Sequence, residues 1–293
     1  MKNKLLIHFI FGAFMLVSCG KNNPASSGGN GGGGNGGSGN GNNNITCYIS
    51  TISQVNSGKG AEFSLSANYN SNNKVTKLVI YDSVGKVKDF EADFNYITSD
   101  SVRIDPYQYL ILDYTGRVIR FATRSDMVSP QTSDNYLFDY TYNQQGYLAI
   151  KNLYINGSTL PNLSTSYNYT NNLLTSCIMT AVSSGNLKVL EANLTYDTTL
   201  AIKNWIYTFP DGLEGYMYLT VLDFGNRPAS ALKQVITRIY NPSTGALLDT
   251  WTTNYSNYRV DANGYILYGE ATGDLQQGIA AFYGKTNFYY TCH

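Results

Sequence analysis

The sequence predicts a mainly β protein, with an elongated or curved antiparallel sheet of repeated β-hairpins and one short helix near residues 213–224. Three observations support this fold class. Apolar and polar residues alternate with a period of two in many segments, and turn-forming residues separate these segments. Tyrosine, which favours strands, contributes 26 residues, whereas charged residues make up only 14% of the chain. Such alternation is typical of antiparallel strands that bury one face and expose the other.

The strand segments are followed by residues that suit tight turns. Residues 63–69 and 190–196 alternate apolar with polar side chains. Asn171-Asn172 lies between two further segments of this kind. Because asparagine and glycine accept the positive φ angles of short hairpin loops, consecutive antiparallel hairpins are predicted.

The turns belong to a wider repeated pattern, in which an aromatic residue precedes the turn and an aliphatic residue follows it. The clearest copy is Tyr140-x-Tyr142-Asn-x-x-Gly146-x-Leu148. Copies near residues 144, 171 and 198 are separated by about 27 residues, which is one hairpin per repeat. Repetition at this period indicates an elongated or curved sheet rather than a compact closed one.

These motifs resemble the tyrosine–aspartate (YD) repeats of bacterial wall-associated and secreted proteins, and more closely the uncharacterised YD-like lipoproteins of Bacteroidetes. Tyr81-Asp82 and Tyr196-Asp197 carry the characteristic dipeptide. The resemblance covers most of residues 60–270 and implies a hairpin-repeat fold, but it implies no activity. The chain departs from the repeat pattern because several copies lack glycine.

One late segment breaks the strand pattern. Six of its residues fall on one face of a helix: Leu213, Tyr216, Met217, Thr220, Val221 and Phe224. Gly225 provides a stop, and Pro228 cannot continue a helix. We therefore expect one short helix at 213–224 that covers part of the sheet.

The first residues of the chain precede the predicted sheet. Lys2 and Lys4 come before an apolar run of 13 residues, which suits the core of a signal peptide and is too short to span a bilayer as a helix. The run ends in Leu16-Val17-Ser18-Cys19, which resembles the lipobox of bacterial lipoproteins. This resemblance implies cleavage after residue 18 and lipidation of the Cys19 thiol. The alternative is an ordinary secretory signal with an incidental cysteine.

The sequence predicts three parts: a lipoprotein signal peptide at 1–18, lipidated Cys19 with a linker at 19–44, and a single β-rich domain at 45–293. Residues 20–44 are almost entirely Gly, Asn and Ser, a composition typical of flexible tethers. Gly20 follows the cysteine, whereas aspartate there retains enteric lipoproteins at the inner membrane. Surface-exported Bacteroidetes lipoproteins carry acidic residues at the next positions, and 21–24 contain none. We therefore expect anchoring in the outer membrane, with the periplasmic face favoured over the cell surface.

Three cysteines follow Cys19 in the sequence. Cys47 opens the first apolar segment, and Cys292 is the penultimate residue. Export permits oxidation, and the termini of a domain often lie close together. We therefore expect a Cys47–Cys292 disulfide with Cys177 buried and free, the alternative being three buried thiols.

The residue types of common catalytic and metal sites are scarce. His8 lies in the signal peptide and His293 is the last residue, so no interior histidine can serve a catalytic triad or a zinc site. Asp89, Glu91 and Asp93 alternate on one strand. A solvated sheet face explains them more simply than paired glycosidase acids or a calcium site. We expect no enzyme activity, no catalytic residue, no metal and no cofactor.

Charge and aromatic content limit the classes of partner that the sequence predicts. With 20 basic and 20 acidic residues, the chain has no electrostatic footprint for nucleic acid. Exposed aromatic rings can stack on sugar rings, although core packing in a tyrosine-rich sheet is the alternative for each ring. The candidates are Trp205 and Trp251 and the clusters Tyr107/Tyr109, Tyr255/Tyr258 and Phe288/Tyr289/Tyr290.

The expected function follows from these observations. The chain is predicted to be a lipid-anchored, non-catalytic cell-envelope protein that presents a β-sheet surface for binding or scaffolding. Its partners would be the membrane, through the lipid, and a glycan or an envelope protein. The alternative is a glycan-binding lipoprotein for polysaccharide capture.

Overall fold

The structure is a computed structural model that describes residues 46–55, 63–82, 87–104, 108–124, 135–204, 206–207, 209–211, 221–274 and 284–292. Within these ranges the chain forms seventeen β-strands and a 3₁₀ turn at Val182–Ser184. The strands are β1 Cys47–Val55, β2 Phe63–Tyr69, β3 Val75–Asp82, β4 Val87–Asp93, β5 Asn95–Tyr96, β6 Ser101–Arg103, β7 Tyr109–Leu112, β8 Val118–Arg124, β9 Asn135–Tyr142, β10 Leu148–Ile155, β11 Leu163–Thr170, β12 Leu173–Ala181, β13 Leu187–Ala201, β14 Ser230–Tyr240, β15 Leu247–Val260, β16 Ile266–Gly273 and β17 Gly284–Cys292. The described part of the chain contains no helix with the length and hydropathy of a membrane span.

These strands form one antiparallel sheet in which pairing follows chain order. β4 and β5 act as one interrupted strand, since Phe94 between them donates its N–H to the Thr76 carbonyl at 2.8 Å. β1 pairs with β2 on one side and with β17 on the other, so the sheet curves until its first and last strands meet. The predicted curved antiparallel sheet of hairpins is confirmed, whereas the pairing of β1 with β17 was not anticipated by the repeat pattern.

A disulfide joins these two strands covalently. Cys47 and Cys292 lie opposite each other in the β1–β17 register, with their Cα atoms 4.0 Å apart. The structure thus contains the disulfide favoured by the sequence analysis. Cys177 is free and buried on β12.

One face of the sheet, the inner face, is apolar and buried. Leu65, Leu78 and Phe138 point to this face and are at most 1% exposed. The other face, the outer face, carries polar side chains together with scattered exposed apolar ones. On β11, for example, outward-facing Ser166 and Asn168 alternate with buried positions. The period-two alternation of the sequence therefore separates a core from a water-facing surface.

The connection between β13 and β14 packs against the inner face. We call its described residues, 202–204, 206–207, 209–211 and 221–229, the inner segment. Ile206, Tyr207, Phe209 and Phe224 of this segment are at most 3% exposed. A sheet with one apolar face must bury that face under a second layer, and the inner segment supplies part of this layer.

The predicted helix at 213–224 falls mainly on residues that the structure does not describe. Residues 212–220 lie outside the described ranges, and of 221–224 only Val221 is helical. Phe224 nevertheless packs on the inner face, where its ring lies 5.1 Å from that of Tyr140 on β9. The expectation that this region covers the sheet therefore holds for the described residues, without a helix from Leu222 onward.

A buried ion pair attaches the inner segment to the sheet. The Lys151 ammonium on β10 lies 2.7 Å from Asp211 Oδ2, with the two side chains 2% and 0% exposed. The Tyr167 hydroxyl on β11 donates to the same carboxylate, 2.8 Å from each oxygen. These contacts compensate the Lys151 and Asp211 charges, either of which would be very costly to bury alone.

Several hairpin turns among the described residues are held by an aspartate or asparagine at the end of a strand. Asp113 Oδ1 accepts hydrogen bonds from the backbone N–H groups of Thr115 at 2.8 Å and Arg117 at 3.1 Å. The same i+2 and i+4 contacts recur at Asn70, Asn143 and Asp261. This turn chemistry explains why the repeated sequence pattern has Asp or Asn after its aromatic residue.

Candidate functional site

Two of the aromatic side chains predicted to stack on sugars lie in the core. Trp251 and Tyr255 are only 9% and 5% exposed, and both point to the inner face from β15. The Trp251 Nε1–H donates to Asp249 Oδ2 at 2.6 Å. Their burial contradicts the stacking role, because neither ring presents a face to solvent. Trp205, the other predicted tryptophan, lies outside the described residues.

Tyr258, another residue predicted to stack on sugars, hydrogen-bonds within the sheet. Its hydroxyl donates to the Leu232 carbonyl at 2.6 Å and accepts a hydrogen bond from the Tyr207 hydroxyl. Burial is the main cause that raises the pKa of Tyr258. Its contacts are those of a structural tyrosine that links β15 to β14 and to the inner segment.

The same tyrosine contact recurs along the sheet. In each copy a tyrosine hydroxyl donates to a backbone carbonyl between 20 and 26 residues earlier in the chain. We call these five residues the tyrosine rungs: Tyr69, Tyr142, Tyr196, Tyr258 and Tyr290. Each rung joins a strand to the strand that precedes it in the chain, and two of the rungs, Tyr142 and Tyr196, belong to the repeated sequence pattern.

The acidic residues of β4 form ion pairs on the outer face. Glu91 contacts both Lys77 and Lys88, and Asp93 lies 3.5 Å from Lys77. Hydrogen bonds from Lys77 and then from Lys88 lower the pKa of Glu91 to about 2. A general acid needs a raised pKa instead. The Asp89 side chain lies outside the described residues, within which no three potential metal ligands of the Asp, Glu, His or Cys type converge.

The outer face of β7–β10 contains a groove of about 550 Å³, which we call the outer groove. The residues that line it include Tyr109, Arg120, Ala122, Leu137, Asp139 and Tyr154. Of these, only Tyr109 was named by the sequence analysis. The others could not be recognised from the sequence, because they become neighbours through the register of four strands.

Strand register places four of these side chains in one row. Tyr109 lies opposite Ala122, Ala122 opposite Leu137, and Leu137 opposite Tyr154. Since neighbouring strands are about 4.8 Å apart, three steps separate the two tyrosine backbones by about 14 Å. Tyr109 is 43% exposed and Tyr154 is half-buried. The row is therefore a shallow trough with a tyrosine at each end and smaller aliphatic side chains between.

An ion pair lies beside this row. Arg120 and Asp139 are opposite each other, and the Arg120 Nε and Nη2 groups donate to the two Asp139 carboxylate oxygens at 2.6 and 3.0 Å. The hydrogen bond with Asp139 is the main cause that raises the pKa of Arg120. The two opposite charges cancel, and the remaining side chains that line the groove are uncharged.

A second cavity, of about 500 Å³, lies where the inner segment meets two hairpin turns. The backbone N–H of Asn226 donates to the Gly146 carbonyl at 2.9 Å, and the Asn226 side-chain amide donates to the Gln145 carbonyl at 2.5 Å. Tyr114, at the tip of the neighbouring turn, is 97% exposed. The cavity lies where the inner segment packs against the turns at residues 113–117 and 143–147.

The fold resembles solved structures of porin-like proteins from Bacteroides. A porin-like protein from Bacteroides uniformis has a TM-score of 0.54 at 15% sequence identity, over 84% of this chain and 98% of that chain. A porin-like protein from Bacteroides vulgatus has a TM-score of 0.53 at 12% identity, over 84% and 99%. No protein-family model and no curated protein matches the chain. At these identities the likeness establishes a shared fold.

Proposed function

We propose that this chain is a non-catalytic, lipid-anchored cell-envelope protein that presents the outer face of its sheet as a binding or scaffolding surface. The sidedness of the sheet carries this proposal: the inner face is apolar and buried, and the outer face bears hydroxyl, amide and charged groups. Charged groups would be costly to bury in hydrocarbon. The domain is therefore suited to water, and attachment to a membrane falls to the amino-terminal lipid.

The start of the sequence provides this attachment. The Leu16-Val17-Ser18-Cys19 motif would place a lipid on Cys19, and the Gly/Asn/Ser linker would tether the domain. A tether of this length and composition reaches about 25–30 Å, enough to hold the domain clear of the lipid headgroups. The likeness to Bacteroides porin-like proteins supports an envelope location. We place the anchor in the outer membrane, with the domain facing the periplasm.

The first experiment tests whether Cys19 carries a lipid and where the chain is located. The full chain is expressed in a Bacteroides host with an alkyne-bearing palmitate, and label and location are measured in fractionated cells. We expect the wild-type chain to be labelled and to sediment with the outer membrane, protected from protease added to intact cells. Cys19→Ala should abolish the label and remove the chain from the outer-membrane fraction.

Cys177→Ala is the matched control for this experiment, since it also removes a cysteine thiol but leaves the lipobox intact. It should keep both the label and the membrane location. Label that persists in Cys19→Ala, or a wild-type chain that is soluble and unlabelled, would refute lipid anchoring. Digestion by external protease would instead place the domain on the cell surface.

The second candidate function is glycan binding for polysaccharide capture, and the outer groove favours it. Trp251 and Tyr255, which first suggested this function, are buried. Tyr109 and Tyr154 provide aromatic rings on the outer face instead. The site for a sugar therefore moves from β15 to the groove over β7–β10.

A further inference from the structure

We infer that the outer groove binds a neutral oligosaccharide, with Tyr109 and Tyr154 stacking on sugar rings and the Arg120–Asp139 pair hydrogen-bonding to sugar hydroxyls. This inference rests on the second candidate function and deepens it, because it names the site and the chemical class of the ligand. Four observations support it: the placement of the two tyrosines, the polar pair beside them, the cancelled charge, and the pairing of the strands.

The two tyrosines occupy positions that suit stacking on a chain of sugars. Both lie on the outer face, unlike the tyrosine rungs, whose hydroxyls bond to neighbouring strands. Between them, Ala122 and Leu137 leave the trough shallow, so an extended ligand can lie across the strands. About 14 Å separates the tyrosine backbones, so the row is long enough for a short oligosaccharide to contact both rings.

The polar pair supplies the directional contacts that sugars need. The side chains of Arg120 and Asp139 are 45% and 28% exposed, so both remain accessible from the groove. A guanidinium has five N–H donors and a carboxylate has about four acceptor positions, which exceeds what two mutual hydrogen bonds require. Their bidentate contact also fixes both side chains in place before a ligand arrives.

The charge of the groove favours a neutral sugar. Arg120 is paired with Asp139, and the other side chains that line the groove carry no charge. An acidic sugar would have to displace Asp139 from Arg120, or lie beside the Asp139 carboxylate, and either would cost interaction energy. A neutral sugar can bond to both groups without separating them.

Strand pairing disfavours the commonest mode of peptide binding to a sheet. A peptide that adds a strand needs an unpaired edge. In the sheet formed by the described residues, β7 to β10 each pair with a neighbour on both sides. Recognition at the outer groove must therefore use side chains, as the stacking of sugars on tyrosine does.

The test is isothermal titration calorimetry on the full mature chain in detergent micelles. The probes are neutral oligosaccharides derived from cellulose, xylan, mannan and starch, together with an acidic oligogalacturonate. We expect saturable binding of at least one neutral probe and weaker binding of the acidic one. Tyr109→Ala and Tyr154→Ala should each weaken that binding by about ten-fold, whereas Tyr154→Phe, which keeps the ring, should bind like the wild type.

Tyr114→Ala is the matched control, because Tyr114 is a 97% exposed tyrosine at the tip of a hairpin turn, outside the groove. It should leave binding unchanged, and all variants should unfold at the wild-type denaturant concentration. No binding of any neutral probe, tighter binding of the acidic one, or an equal loss in Tyr114→Ala would overturn the inference. Calorimetry measures sugar binding whether or not Cys19 carries a lipid. A failure of sugar binding can therefore be distinguished from a failure of lipid anchoring.

Discussion

The burial of Lys151 is the opposite of what its residue type suggests. A lysine within a strand ordinarily faces water, yet Lys151 is 2% exposed because a β-bulge between Leu148 and Ile150 shifts the alternation of β10. Ile150, which would otherwise point inward, is 40% exposed. The sequence could not reveal this exchange, since a bulge leaves no mark in a period-two pattern until the pairing partner is known.

Asp211→Asn should therefore lower the free energy of unfolding by about 3–5 kcal/mol, because it leaves the Lys151 ammonium buried without its carboxylate. Asp139→Asn is the matched control, since the same change falls on the exposed pair with Arg120 and should cost about 0–1 kcal/mol. Chemical denaturation at neutral pH, followed by tyrosine and tryptophan fluorescence, measures both values. Equal losses would contradict the importance that we assign to burial.

This fold consists of hairpins and the inner segment, and the sequence predicted the hairpins better than the inner segment. Turns such as Asn171-Asn172 could be predicted because their φ angles, 52° and 63°, suit asparagine. The helix predicted at 213–224 falls mainly outside the described residues, and from Leu222 onward the inner segment is not helical. Tyr142 and Tyr196 could be predicted as members of the repeated pattern, but the other tyrosine rungs and the carbonyl acceptors of all five hydroxyls could not.

Gly225→Ala tests how closely the inner segment is seated on the hairpin turns. Gly225 has a φ of +83°, and a Cβ there would contact the Gly146 carbonyl and come within 2.8 Å of the Tyr142 ring. Gly116→Ala is the control, because its φ is +93° but no heavy atom lies within 4 Å of the added Cβ. Backbone strain alone should cost Gly116→Ala about 1–2 kcal/mol of unfolding free energy.

The steric contact should make Gly225→Ala less stable than Gly116→Ala by about 1–3 kcal/mol. Urea denaturation of the two variants under one buffer condition measures the difference. If the two variants lost the same stability, close packing of the inner segment on the turns would be disproved.

At the scale of the whole molecule, the sheet could be predicted as curved and antiparallel, and the disulfide could be expected from the positions of Cys47 and Cys292. The pairing of β1 with β17 could not, because periodicity describes only neighbouring hairpins. The candidate site could not be predicted from the sequence for the same reason. Tyr109 and Tyr154 are 45 positions apart in the sequence, and only the register of the strands between them places both in one row.

The disulfide should contribute measurably to the stability of the whole sheet, because it joins residues 245 positions apart. Replacing Cys47 and Cys292 together with serine should lower the free energy of unfolding by about 2–5 kcal/mol. Thermal and urea unfolding of the oxidised wild type, the reduced wild type and the double variant provide the measurement. The reduced wild type should match the variant, and a reductant-insensitive wild type would rule out this contribution.

The pairing of β1 with β17 also imposes an order on folding. β1 is the first of the described strands to be synthesised, but one of its edges has no partner until residues 284–292 have been made. Contacts between strands so distant in the sequence form slowly, and an open strand edge can recruit strands from other molecules. The partly synthesised chain is therefore most prone to aggregate just before its last strand is available, and chaperones would protect it most effectively at this stage.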